Sequence, residues 1–490
     1  MASSSLWDYI FIRTSIFFLH LIAPLSILYL LASTLFHLPI FIPRILEIWL
    51  TIEAAFFLLV YIPLHLYLQR PATHPATLSP EDRRTLFRRC HINVPDPERH
   101  LRKWFRDAPV GEIKRENVND FFRWAFLNAA ESDPTYDQEL DEYINEMEMM
   151  LGRTLEPGRG NAQCLRLTLD KVEMLHRSLT WYLCIVVVDI IASGYLRCYS
   201  FEFYRGSCFD VFPPRPLGLF GSHCSPAKKL TYWYRPHTSS TRLPILFIHG
   251  IGVGLYPYID FLHELNAEDR QDLPGGQLGI IAVEIMSVSS RITGQAMSRE
   301  TISEEIRCIV KSHGWEKFVL VSHSYGSVVA AHLLHTPTIA SKIGPMLFID
   351  PVAFLLHHPD VAYNFICRKP ATANEHVLSY FGSKDIGVAH TLFRRFFWAN
   401  NILWKEDIRH HRVAVSLGGN DLVVNTKVIK AYLTGGDDWY LKTGNGKNEE
   451  SRSDNLDVLW FPELHHAQVF DQKSTRGPLI ETVRKFCVDR

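Results

Sequence analysis

From Ser15 to Phe36 the chain reads SIFFLHLIAPLSILYLLASTLF, without one charged side chain. Coiled as a helix, such a run matches the ~30 Å hydrocarbon core of a bilayer. Pro24 is tolerable within it as a kink. The competing reading is a signal peptide, which has a shorter apolar core followed by a small-residue cleavage site. Here the run is longer, and a second apolar stretch, Ile48 to Leu68, follows with Glu53 as its one acid. The preferred reading is therefore a membrane anchor over 1–75, with transmembrane helices at 15–36 and 48–68. Glu53 leaves a buried core helix open for the second stretch. The joining HLPIFIPR, with two prolines, reads as a tight turn. Only Arg44 lies between the stretches, whereas Arg70, Arg83, Arg84, Arg88 and Arg89 follow them. The positive-inside bias then makes a multi-pass hairpin and puts the large C-terminal part in the cytosol.

The rest of the composition mostly excludes. Lys+Arg is 51 against Asp+Glu 52, for a formal net charge of -1. With no basic stripe, nucleic acid is not an expected partner. The nine cysteines are odd in number and irregularly spaced, with no CxxC pair. That argues against a disulfide framework or a zinc site and for reduced thiols. The absence of an N-x-S/T sequon points the same way.

Residues 76–210 read as a helical region. Val118 to Ala129 and Tyr136 to Arg153 space apolar residues at helical intervals, and Pro157, Gly158 and Gly160 punctuate a loop. Thr180 to Leu196, TWYLCIVVVDIIASGYL, is apolar but short for a span and contains Asp189. A third crossing would put Asp189 in lipid at a cost of about 2.5–3.5 kcal/mol. A buried or membrane-surface helix is preferred, and the crossing stays open.

Beyond Lys229 the pattern changes. Short runs of branched and aromatic residues alternate with helical stretches: PILFI (244–248), GIIAVEI (279–285), FVLVS (318–322), MLFID (346–350), RVAVSL (412–417) and DVLWF (457–461). Continuous apolar strands separated by helices imply an α/β domain around a mostly parallel sheet, here over 211–490. Active sites in such sheets lie at the carboxyl ends of the strands. The residues just after each run therefore carry the functional argument.

After FVLVS, Ser322 to Gly326 reads S-H-S-Y-G and resembles the G-x-S-x-G nucleophile elbow of the α/β-hydrolase family. The serine sits on a strained strand-to-helix turn, and its flanking positions must be small because strand and helix crowd there. Gly326 keeps the pattern, while Ser322 replaces the first glycine with another small residue. After PILFI, His249-Gly250-Ile251-Gly252 resembles the family's HG-x-G turn. By that resemblance the oxyanion-hole donors are the backbone N–H groups of Ile251 and Tyr325, while His249 is structural. After RVAVSL, Gly418-Gly419-Asn420-Asp421 resembles the glycine-rich acid turn. Asp421 is the preferred triad acid, against the alternative of a helix N-cap. Asp350, at the end of MLFID, is the rival acid. After DVLWF come His465 and His466; His466 is the preferred base and His465 the alternate. The order Ser324, Asp421, His466 is that of the α/β hydrolases. The resemblance covers roughly the last 260 residues of the chain.

The resemblance implies a serine hydrolase of the esterase or lipase type, acting on carboxylic esters through an acyl-enzyme and needing neither metal nor organic cofactor. Residues 352–411 are longer than an ordinary loop and read as a helical cap, with ordinary helix packing as the alternative. Its aromatic segments suit a hydrophobic ester or lipid substrate. Within it His357, His358 and His390 read as polar groups of the cap, and Arg394 and Arg395 as a solvated face, with contact to lipid headgroups as the alternative. Acyl transfer by the same triad and a catalytically silent membrane scaffold are the competing functions.

Overall fold

A computed structural model describes residues 5–35, 42–207, 210–215, 223–265, 276–435 and 455–488. Most of the turn expected between the two apolar stretches lies outside the described residues. The helices α1 (Leu6–Leu35), α2 (Arg44–Leu68), α3 (Pro80–Ile92), α4 (Pro97–Trp104), α5 (Arg115–Leu127), α6 (Asp137–Leu151) and α7 (Leu179–Cys198) come first. Then follow β1 (Glu202–Arg205), β2 (His223–Cys224), β3 (Thr231–Arg235), β4 (Ile245–Ile248), β5 (Ile280–Glu284), α8 (Arg299–Ser312), β6 (Phe318–His323), α9 (Gly326–Leu334) and β7 (Ile343–Ile349). β8 (Val413–Gly418), α10 (Thr426–Thr434), β9 (Leu456–Phe461) and α11 (Lys473–Val488) follow toward the C-terminus. Every apolar run picked out above as a strand forms one.

The chain divides into two compact units. The first comprises 1–70, 172–316 and 370–391; the second comprises 71–171, 317–369 and 392–490.

In the first unit β4 and β5 pair in parallel, while β3 runs antiparallel to both β5 and β1. β4 and β5 are buried along their whole length, as apolar strands of an α/β sheet must be. α1, α2 and α7 are each long and apolar enough to cross a membrane by length and composition. Phe17, Phe18, Leu28 and Leu59 stand exposed on the first two, the surface a lipid-facing helix presents. Glu53 is fully buried on α2, and its carboxylate accepts the backbone N–H groups of Leu179 (2.8 Å) and Thr180 (2.7 Å). The acid thus caps the N-terminus of α7, where unpaired N–H groups and the helix dipole favour negative charge.

Asp189, midway along α7, also has partners. Its carboxylate pairs with Arg215 at 2.9 Å and Arg291 at 3.2 Å, and Arg215 also pairs with Glu284 of β5. Around it Ile185, Ala192, Ser193 and Leu196 are buried. On the opposite side Leu183, Val187, Ile190, Ile191 and Tyr195 are exposed at helical spacing. α7 therefore carries its one acid on a protein-packed face and an uncharged apolar stripe on the other.

In the second unit β6, β7, β8 and β9 form a consecutive parallel set, with β7 between β6 and β8 and β9 beyond β8. α3 to α6 pack through aromatic side chains: Phe87 stacks on Tyr143 at 4.2 Å, and Phe122 and Phe126 close around the same ring. Arg83 and Glu139, both buried, form a two-pronged ion pair here. The expectation for Arg394 is corrected. It is buried rather than solvated, and its guanidinium donates to the carbonyls of Asp170 (2.9 Å) and Phe393 (2.8 Å). A long side chain satisfied by backbone carbonyls can sit inside, which sequence charge alone does not reveal.

Candidate active site

The site is built at the carboxyl ends of the four parallel strands of the second unit. Ser324 follows β6 directly and opens the turn into α9. Its φ of +50° is the left-handed conformation a sharp elbow demands of a side-chain-bearing residue. The turn is held because Ser324 N–H donates to Ile349 O at 2.9 Å and Ser324 O accepts the Ser327 hydroxyl at 2.6 Å. That hydroxyl in turn accepts the N–H groups of Val352 and Ala353, joining the elbow to the chain leaving β7. Ser322, the departure from the family's glycine, is fully buried on β6 opposite Phe348.

His466 lies in the loop after β9, and its side chain is 8% exposed. Nε2 stands 2.8 Å from Ser324 Oγ, and Nδ1 stands 2.6 Å from Asp421 Oδ2. The structure thus brings Ser324, His466 and Asp421 into one hydrogen-bonded line. His465 points elsewhere: its Nδ1 bonds the Asn420 carbonyl at 2.8 Å.

Asp421 reaches the imidazole through the glycine turn after β8. A Cβ on Gly418 would lie 2.7 Å from Leu464 O, and one on Gly419 would lie 2.2 Å from Pro462 O. Only glycine lets the acid turn press against the histidine loop this closely. Gly419 N–H donates to Phe461 O, and Asn420 N–H to Leu464 O, fixing the contact. Asp421 Oδ1 accepts the N–H groups of Val423 (2.7 Å) and Val424 (3.0 Å), which leaves Oδ2 for His466. The N-cap of α10 is Asn425, so capping that helix is not the task of Asp421. Its turn is held from outside by the strap that follows β7: Asn364 donates to Val423 O and Arg368 to Leu422 O.

Asp350 has a different place. It is buried at the end of β7 with φ +42°. Oδ1 accepts Gly418 N–H at 3.1 Å and Oδ2 accepts Ala467 N–H at 2.8 Å. One carboxylate therefore ties the acid turn to the base loop. Ligand atoms of Asp350, Asp421 and His466 lie within 4.8 Å of one another. Burial raises the Asp350 carboxyl to about 6, against the pull of the His466 charge. Burial by itself would lower His466, but the Asp421 and Asp350 carboxylates outweigh it and raise the imidazole to about 9. The bracing by Ser327, Asp350, Asn364 and Arg368 has no signature in periodicity or motif.

His249, after β4, is fully buried with both ring nitrogens engaged. Nδ1 bonds Gly250 O at 2.6 Å and Nε2 accepts Ile285 N–H at 2.9 Å. Burial pushes its pKa down, and the neutral ring pins the turn that presents Ile251. Tyr325, the other expected oxyanion donor, stands at the N-terminus of α9.

A mostly parallel sheet whose strand ends present Ser324, Asp421 and His466 in that order is the α/β-hydrolase fold, here following long apolar helices. No protein-family model and no curated protein matches the chain. Among solved structures it is similar to a bacterial membrane phospholipase A (12% identity, TM-score 0.38, over 62% of this chain and 94% of that one). It is also similar to a thermophilic esterase from Thermogutta terrifontis (14%, 0.37, 53% and 94%) and a carboxylesterase from Bacillus subtilis (13%, 0.33, 61% and 98%).

Proposed function

We propose that the chain is a membrane-anchored serine hydrolase of carboxylic esters, with hydrophobic esters, lipids among them, as its substrate class. The observation that carries this reading is the continuous line from Ser324 Oγ through His466 to Asp421. In it Ser324 attacks the ester carbonyl and His466 takes the hydroxyl proton. Asp421 holds the Nδ1–H tautomer and stabilises the imidazolium. By family resemblance the N–H groups of Ile251 and Tyr325 receive the developing oxyanion, each worth on the order of 3 kcal/mol. His466 returns the proton to the leaving alcohol, and water, activated by the same ring, then releases the acid. Asp350 takes no proton in this scheme; it holds both loops in register.

The membrane reading rests on the exposed apolar surfaces of α1 and α2 and on the arginines that follow them. α1 and α2 act as the two spans, residues 1–75 as the anchor and 211–490 as the hydrolase domain, on the cytosolic side. With Asp189 paired inside the protein, the exposed apolar stripe of α7 carries no charge, and it suits a membrane-surface position or a crossing alike.

The test is hydrolysis of p-nitrophenyl esters of increasing chain length by the detergent-solubilised full chain. Turnover should rise with acyl length and fall at least about 10³-fold in Ser324→Ala and in His466→Ala. Equal turnover in wild type and both variants would overturn the assignment.

A further inference from the structure

Outside the triad, the second unit encloses a cavity among α3 to α6 and the start of the strap after β7. It opens to solvent on one side, and about 40 Å³ of it admits the centre of a water-sized sphere. Phe87, Trp104, Phe122, Trp124, Met147 and Trp398 give it an apolar, largely aromatic wall, and no Lys, Arg, Asp or Glu among the described residues lines it. Three imidazoles, His91, His100 and His357, interrupt that wall, and His91 pairs with Glu146 at 3.6 Å. His100 and His357 are 8% and 6% exposed. Among the described residues Nδ1 of His100 has no hydrogen-bond partner, and the ring nitrogens of His357 make no bond of normal geometry, the Asn93 carbonyl being the one acceptor that acts on that ring. The neighbouring tryptophans offer nothing to them, because Trp104 donates to His357 O, Trp124 to Thr168 and Trp398 to Ala125 O.

Burial, and then the neighbouring imidazoles, hold both histidines well below their ordinary pKa, so both rings are neutral. A neutral ring offers one N–H and one lone pair. The missing partner must then satisfy a donor and an acceptor at once while filling an aromatic cavity. A hydrocarbon would leave the nitrogens bare. A carboxylate or ammonium would lose its hydration with no counter-charge in the wall. A hydroxyl meets both requirements.

We propose that this cavity binds a neutral alcohol with a compact apolar body, its hydroxyl hydrogen-bonded to His100 and His357. The site is separate from the triad, and the proposal does not require turnover, although an alcohol is one product of the ester hydrolysis proposed above.

The test is quenching of tryptophan fluorescence in the full chain in detergent, with three probes of one shape: 4-bromobenzyl alcohol, 4-bromotoluene and 4-bromobenzoate. Saturable quenching by the alcohol, at least about fivefold tighter than by either other probe, is expected. His100→Phe should cut the alcohol's affinity about fivefold and leave 4-bromotoluene unchanged, while Ala125→Leu, which fills the cavity, should weaken both. The three-probe comparison on wild type decides even if a variant does not fold. Equal affinities for the alcohol and 4-bromotoluene, tighter binding of 4-bromobenzoate, or no saturable quenching would overturn the proposal.

Discussion

Asp350 Oδ2 accepts the backbone N–H of Ala467 at 2.8 Å, and Ala467 is the residue next to His466. With Oδ1 on Gly418 N–H, the same carboxylate spans the two loops that carry the acid and the base. It also adds negative charge beside the imidazole, which has a measurable consequence. As general base His466 must be neutral, so ester hydrolysis should rise with pH as the imidazolium loses its proton. Because His466 is raised to about 9, the acid limb of kcat/KM should lie above the ordinary value of about 6.5.

Replacing Asp350 by Asn removes that charge, although its amide NH2 cannot accept, so one of the two backbone N–H groups loses its acceptor. The imidazolium is then less favoured, its pKa falls, and the acid limb should move to lower pH. Asp350→Ala instead leaves two buried N–H groups unpaired, at about 1–3 kcal/mol each. It should lower the thermal midpoint further than Asp350→Asn does, while the position of the acid limb reports the lost charge.

Asp421→Asn tests which carboxylate orients the base. An amide facing Nδ1 favours the wrong imidazole tautomer, and kcat should drop by on the order of 10³–10⁴ with the fold intact. A larger loss in Asp350→Asn than in Asp421→Asn would exchange their roles.

Gly419→Ala tests the close approach of the two loops. Its Cβ would meet Pro462 O at 2.2 Å, a backbone atom with little freedom to yield. The acid turn must then move off the histidine loop. Activity should fall at least about tenfold, with about 1–3 kcal/mol lost in stability. A crystal structure of the variant would show the Asp421–His466 bond lengthened.

Much of this arrangement was legible beforehand, for a physical reason. Strands buried on both faces must be continuously apolar, so PILFI, FVLVS and MLFID announce themselves, and the elbow needs small residues beside Ser324. β1 and β3 were missed because Glu202-Phe-Tyr-Arg and Thr-Tyr-Trp-Tyr-Arg mix polar and aromatic residues at the antiparallel side of the first unit. The partners of Glu53 and Asp189 were equally hidden. Both acids look like flaws in apolar helices, and only tertiary contact shows one capping α7 and the other paired with Arg215 and Arg291. After β9 the sequence favours His466 with His465 as alternate; in the structure His466 meets Ser324, a turn with φ +64° follows at Ala467, and His465 bonds Asn420.

Asp189 gives a prediction about that hidden pairing. Asp189→Ala leaves Arg291 buried with only the Pro213 carbonyl among its partners shown at hydrogen-bond distance, a loss of about 3–5 kcal/mol. The thermal midpoint should fall, and adding Arg291→Met should recover part of the loss.

The central claim is that the hydroxyl at position 324 is activated by the imidazole at 466. Reaction of the full chain with a fluorophosphonate probe, followed by mass spectrometry of the modified peptide, tests it most directly. One adduct, on Ser324, is expected, formed at least about 10³-fold more slowly in His466→Ala. An unmodified Ser324, or labelling at the same rate without His466, would contradict it.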